Sequence, residues 1–267
     1  MKTQKGKFIL FDLGDFSGWL SAIHVNRLIR LVQNHHTWSP SYQNFKVNNH
    51  FELLKGMEAA HLERGFSEIA QNLTTFPDGT VAVCRPFDNV PAGIKGANSA
   101  GLCIENLGNF DIGQDTMTAE QADTIVKINA LLCTRFNLVP STDTIVYHHW
   151  YDLNTGVRTD GTGTTKSCPG TNFFGGNTVA AAQSNFIPLV SNALTSTAIP
   201  AAPTAAPLYS ARVSADVLNV RSQPSASGKL LKKLRNGTVV QVYEEQGDWR
   251  RIHPSEQNWV SGKYLEK

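Results

Sequence analysis

An excess of charge of either sign is missing from this chain: 24 Lys and Arg stand against 22 Asp and Glu over 267 residues, with no long basic run. A polyanion would find no electrostatic footprint, so nucleic acid and an anionic membrane surface are set aside as partners. Long apolar runs are lacking too. No segment approaches the ~20 apolar residues that span a bilayer. The opening Phe8-Ile9-Leu10-Phe11 is broken by Asp12 and Asp15 before the apolar core of a secretory signal can form. A substrate outside the cytoplasm would therefore have to be reached by lysis or by a dedicated export route. Cysteine is scarce as well: Cys84, Cys103, Cys133 and Cys168 lack the dense spacing of a disulfide scaffold, which a chain of this length does not need. Three of them read as buried apolar residues.

Among only 8 histidines, four fall in two adjacent pairs, His35-His36 and His148-His149, each at the end of an apolar run. Downstream lies Lys166-Ser167-Cys168-Pro169-Gly170. One histidine from each pair with Cys168 makes a three-ligand zinc site, and three protein ligands leave the fourth position open for hydrolytic chemistry. Neighbours on a strand point to opposite faces, so only one of each pair can face the metal. Glu105 closes the apolar run Leu102-Cys103-Ile104, where an unpaired carboxylate is costly without a partner or a task. Lys166, two positions before Cys168, shares its face on an extended backbone. The run Gly161-Thr162-Gly163-Thr164-Thr165-Lys166-Ser167 is not a phosphate-binding P-loop, because Thr165 stands where that pattern requires Gly. Asn72-Leu73-Thr74 matches a glycosylation sequon by accident.

Two units are expected. Residues 195–207, rich in Ala, Pro and Thr, read as a semi-extended linker. Beyond it, runs such as Leu218-Asn219-Val220-Arg221 and Val239-Val240-Gln241-Val242-Tyr243 are separated by turn signals at Ser227-Gly228, Asn236-Gly237 and Gln246-Gly247-Asp248, the pattern of a small all-β barrel over 208–267. Before the linker, Thr118 and Gln121 suggest a capping box ahead of Ile125, Ile128, Leu132 and Phe136, which predicts a helix over 119–136. Asp143 to Tyr147 reads as a strand delivering His148, and Thr80 to Val83 as the second arm of a hairpin after Pro77-Asp78-Gly79. Together they predict an α/β unit with a central sheet within residues 1–194.

In order along the chain, Asn34-His35-His36-Thr37-Trp38, Phe76-Pro77-Asp78-Gly79-Thr80, Asn98, Ile104-Glu105-Asn106-Leu107-Gly108-Asn109-Phe110-Asp111, Tyr147-His148-His149 and Lys166-Ser167-Cys168-Pro169-Gly170 resemble the zinc N-acetylmuramoyl-L-alanine amidases, a family that includes phage lysozyme-type amidases and peptidoglycan recognition proteins. The resemblance spans about residues 20–190. It implies a central mixed β-sheet flanked by helices and cleavage between N-acetylmuramic acid and L-alanine of bacterial peptidoglycan. It further implies Zn2+ on His35, His148 and Cys168, Glu105 assisting the water, and Lys166 at the developing oxyanion. Where the family often places a tyrosine, the aligned residue is Gln71, which can donate a hydrogen bond but cannot act as a phenolic acid or base. The stretch 150–165 is longer than the family's spacing and is expected to loop over the groove, with Tyr151, Asp152, Asn154 and Arg158 available to the stem peptide and Trp38 on the groove wall. The tail resembles bacterial SH3-like domains that accompany cell-wall hydrolases. A monomer acting at the bacterial cell wall is expected. The rival readings are a peptidoglycan receptor without catalysis and a zinc peptidase cutting inside the stem peptide.

Overall fold

Short runs, most of them rich in β-branched and aromatic residues, build the main sheet, with the polar, exposed run Lys2–Lys5 at its edge. In the computed structural model, which describes residues 2–196, 207–253 and 257–266, these are β1 (Lys2–Lys5), β2 (Phe8–Phe11), β3 (Leu31–His36), β4 (Leu73–Thr75), β5 (Val81–Val83), β6 (Gly101–Asn106) and β7 (Ile145–Tyr147). Their order across the sheet is β1-β2-β5-β4-β6-β3-β7. The strands β4, β6, β3 and β7 are parallel neighbours, whereas β1, β2 and β5 pair antiparallel, so the sheet is mixed as expected. Gly79 sits in the β4–β5 turn at φ +79°, a conformation L side chains rarely adopt.

The helices are α1 (Leu13–Ala22), α2 (His50–Glu63), α3 (Ala119–Phe136), and a short α4 (Val179–Ala181) that passes through a π turn (Ala182–Phe186) into α5 (Ile187–Ser196). The predicted helix 119–136 is α3. Thr118 caps it by accepting from Gln121 N at 3.2 Å, and Asn137 ends it in the left-handed region at φ 54°. The capping box is only half made. The Gln121 side chain turns inward instead, donating to Thr75 and Leu107 carbonyls and accepting from Tyr42. Helix α5 continues through Thr195 and Ser196, two residues into the expected linker, because after Pro188 in its first turn no proline follows before Pro200. Residues 197–206 of that linker lie outside the described residues.

Alternation along β3 decides which side of the sheet does chemistry. Asn34 exchanges amide hydrogen bonds with Asn129 of α3, at 2.9 and 3.2 Å, so Asn34 belongs to the α3 face. His35 then faces the other way. On the α3 face an aromatic-rich core gathers Phe110, Tyr147, Trp150, Phe173 and Phe186 with Ile125 and Ile145. On the opposite face α2 packs Leu54 and Met57 against Phe8, Ile69 and Phe76. Truncating one such aromatic to alanine typically costs about 3–5 kcal/mol.

The chain divides into two units between residues 198 and 199. The second unit is all-β: β8 (Tyr209–Val213), β9 (Val217–Arg221), β10 (Leu230–Arg235), β11 (Val239–Val242), β12 (Glu244–Gln246), β13 (Trp249–Arg251), β14 (Trp259–Ser261) and β15 (Leu265–Glu266). They form sheets ordered β10-β9-β14-β13-β12 and β11-β8-β15 around Val213, Leu218, Val220, Val260 and Val242. Among the described residues no helix is long and apolar enough to cross a membrane.

Candidate metal centre and groove

Three elements converge at the C-terminal ends of the parallel strands. β3 presents His35, the 3-10 turn His148–Trp150 directly after β7 presents His148, and the 166–170 loop presents Cys168. His148 Nδ1 lies 3.2 Å and Cys168 Sγ 3.5 Å from His35 Nδ1, and the three donor atoms lie within 4.8 Å of one another. Zinc bonds of about 2.0–2.1 Å to nitrogen and about 2.3 Å to sulfur imply tetrahedral edges of about 3.3 Å between nitrogens and about 3.6 Å from nitrogen to sulfur. The donor set therefore fits zinc in element, and the two edges that meet at His35 Nδ1 fit it in spacing. Burial, reinforced by the nearby charges of His148 and Lys166, holds His35 well below the ordinary imidazole value, and burial with Lys166 lowers His148 to about 4. Both rings are thus neutral at neutral pH, the form in which imidazole ligates metal.

The other member of each pair is engaged elsewhere. His36 Nδ1 accepts from Phe110 N at 3.1 Å, and His149 Nδ1 donates to the Lys166 carbonyl at 2.7 Å. The Cys168 loop is bolted down by Asp111, which accepts from Ser167 Oγ and Thr171 N, both at 3.0 Å, and by His149 N donating to the Cys168 carbonyl at 2.7 Å. A Cβ at Gly170 would lie 2.4 Å from the Phe110 carbonyl oxygen, so only glycine lets the loop approach that closely.

Glu105 on β6 stands beside the donors, Oε1 3.9 Å from His35 Nδ1, and its Oε2 is buried without a hydrogen-bond partner. Burial pushes its carboxyl up to about 8, with the charges of Lys166 and Arg64 drawing it back. A cation on the neighbouring donors favours its ionised form. Lys166 is exposed at the rim. All five residues open into one groove of about 840 Å³.

Residues 25–171 match the N-acetylmuramoyl-L-alanine amidase family, and residues 216–266 match the bacterial SH3 domain family. The chain belongs to the N-acetylmuramoyl-L-alanine amidase family. A D-alanyl-L-alanine endopeptidase of Streptococcus phage B30 is 42% identical over 60 residues, which is 22% of this chain and 13% of that protein. Among solved structures, the Drosophila PGRP-LB wild-type is 19% identical with a TM-score of 0.44, covering 61% of this chain and 84% of that one. The endolysin N-acetylmuramoyl-L-alanine amidase LysCS from Clostridium intestinale is 21% identical with a TM-score of 0.40, over 55% and 78% respectively.

Within this amidase-family unit the groove has a wall that sequence reasoning missed. Glu52, Gly56, Met57, Ala60 and His61 of α2, with Arg64 just beyond its end, line one side. Their spacing of three to four residues, with small residues at 56 and 60, was the available signal. Trp38 lines the groove too, 62% exposed and with φ 58°, a conformation uncommon for a bulky residue. Gln71 does not line it: fully buried, it donates to Thr74 Oγ1 at 3.0 Å and contacts Met57 Sδ at 3.8 Å. The 150–165 stretch does not cover the groove either, correcting that expectation. Asp152 gathers the loop by accepting from the backbone of Asn154, Thr155 and Thr164, and Arg158 binds Asp143 and Asp160 while lying over Trp150. Asn72 of the apparent sequon is buried, bonded to Cys103 N and to the Pro86 carbonyl.

Proposed function

We propose that this chain hydrolyses the amide between the lactyl group of N-acetylmuramic acid and L-alanine of the stem peptide, with zinc held by His35, His148 and Cys168. The observation that carries the reading is the convergence of two imidazole nitrogens and one thiol sulfur within 4.8 Å of one another, beside the half-buried Glu105 carboxyl in an open groove. When bound, zinc supplies Lewis acidity that polarises a carbonyl and makes water nucleophilic near neutral pH. Glu105 takes the proton of the attacking water through its unpartnered Oε2 and returns it to the leaving amine. Lys166 offers its ammonium to the oxyanion that develops on the substrate carbonyl. Trp38 and the α2 wall hold the glycan and peptide. Gln71 holds Thr74, the register neighbour of Glu105, and in this reading steadies the base rather than touching substrate.

The chain is organised in this reading as a catalytic unit over 1–194, a linker over 195–207 and a wall-binding unit over 208–267. The SH3-like unit raises the local concentration of the catalytic unit at the bacterial wall. Mass spectrometry of purified peptidoglycan digested with and without a zinc chelator tests the reading. Chelator-sensitive release of stem peptides beginning with L-alanine, from uncut glycan strands, is the expected result. Protein bound to the wall with no soluble product would overturn it in favour of a receptor, and peptides cut internally would mean a peptidase.

A further inference from the structure

We propose that Gln33 is a positioning residue that holds His35 in the tautomer with hydrogen on Nε2 and so aims the Nδ1 lone pair at His148 and Cys168. The inference rests on the reading of His35 as a metal ligand. Gln33 lies two residues before His35 on β3, on the same face, and is fully buried. Its Oε1 accepts from Ile94 N at 3.1 Å and meets His35 Nε2 at 3.4 Å. Its Nε2 donates to the Ala97 carbonyl at 3.0 Å and to Asn98 Oδ1 at 3.3 Å.

The network allows one orientation of this amide. Flipped, it would set its N–H groups against the Ile94 N–H and its oxygen against two acceptors. An amide oxygen only accepts, so the hydrogen between Gln33 and His35 must sit on His35 Nε2. A neutral imidazole carries one N–H, which leaves Nδ1 as the lone-pair atom. That atom is the one 3.2 Å from His148 Nδ1 and 3.5 Å from Cys168 Sγ.

A bracket made by residues 93–98 keeps Gln33 in place. Asn98 Oδ1 accepts from Gly93 N at 3.0 Å and Ile94 N at 2.9 Å, besides the Gln33 amide. A Cβ at Gly93 would stand 2.2 Å from Gln33 Oε1 and 3.1 Å from His35 Nε2, so glycine alone permits the bracket to close on this pair. Asn98 therefore acts through Gln33, and Gln33 through His35. Groups of this kind, which bond the far nitrogen of a ligating histidine, typically account for a 10–100-fold difference in metal affinity.

The test is long-range nitrogen-15 NMR of the histidines in the full-length, zinc-free protein, followed by zinc titration of that protein and of Gln33→Met. His35 is expected with hydrogen on Nε2 in the parent. In Gln33→Met the tautomer should become mixed and zinc affinity should fall about 10–100-fold. A parent His35 with hydrogen on Nδ1 would overturn the proposal, and so would a folded Gln33→Met with parental tautomer and zinc affinity within about twofold of the parent. If Gln33→Met does not fold, the parent tautomer decides. A parent that shows the Nε2–H form yet takes up no zinc would uphold the role of Gln33 and remove the metal reading instead.

Discussion

Glu105 is the register partner of His35 across the parallel β3–β6 pair, and its Oε1 stands 3.9 Å from His35 Nδ1. Two strands thus set the spacing between the proposed metal donor and the proposed general base, without a loop between them. Strand pairing holds such a distance more rigidly than a surface loop does. The third donor, Cys168, comes from a loop, and that loop is the part tied down by Asp111, His149 and Asn177.

Cys168→Ala should abolish zinc retention and reduce turnover of peptidoglycan to background, while leaving the fold intact because the site lies at the sheet end. Metal analysis of the purified variant alongside an activity assay checks this. An active variant without metal would remove Cys168 from the site.

Glu105→Gln should keep zinc but lose about 10²–10⁴-fold in turnover, the usual contribution of a positioned general base. Parallel metal analysis and kinetics distinguish this from Cys168→Ala. Retention of more than a tenth of the parental rate would assign the proton transfer to another group.

Gly56 offers two opposed outcomes at one position. A Cβ there meets nothing within 4 Å, and the residue lies inside α2 outside the positive-φ region. Gly56→Ala should therefore raise stability by up to about 1 kcal/mol through helix propensity. Gly56→Trp should instead fill the groove and weaken substrate use about tenfold or more without unfolding, since a groove-blocking side chain removes contacts worth at least about 1.4 kcal/mol. Thermal melts and KM measurements on both variants check it, and a Gly56→Trp protein with parental KM would exclude the α2 wall from substrate binding.

Asp78 should give the fold an acid-side dependence. Burial alone raises its carboxyl, but hydrogen bonds from the His50 side chain at 2.7 Å and from Thr80 N–H and O–H outweigh burial and hold it below 3.8. A carboxyl depressed in the fold contributes stability that is fully present above its unfolded value and is lost as pH falls through the folded one. Asp78→Asn should cost about 1 kcal/mol at neutral pH. Denaturant melts should show that gap narrowing below about pH 4. An equal gap at both ends of the range would mean the carboxylate charge plays no part.

Removing residues 208–267 should weaken sedimentation with whole cell walls while leaving cleavage of small soluble muropeptides largely unchanged. Equal loss on both substrates would mean that the tail helps to build the catalytic site.

Local features of the sequence carried far. The span of α3 follows from Thr118, the apolar period after it and Asn137 past its end, all decided within a few residues. The β4–β5 hairpin follows likewise from Pro77-Asp78-Gly79, and the all-β tail from its turn residues. The kinds of donor were also legible, because imidazole and thiolate chemistry belongs to the residue itself. What the amino-acid order could not decide is direction. Whether His35 or His36 meets Cys168, 133 positions away from His35, depends on which face of β3 the Asn34–Asn129 bond turns toward α3. The same long-range pairing put α2 and Lys166 on one groove and closed residues 94–98 around Gln33. Those outcomes belong to the tertiary structure, because a one-residue change in facing or register moves every side chain of a strand to the other side of the sheet.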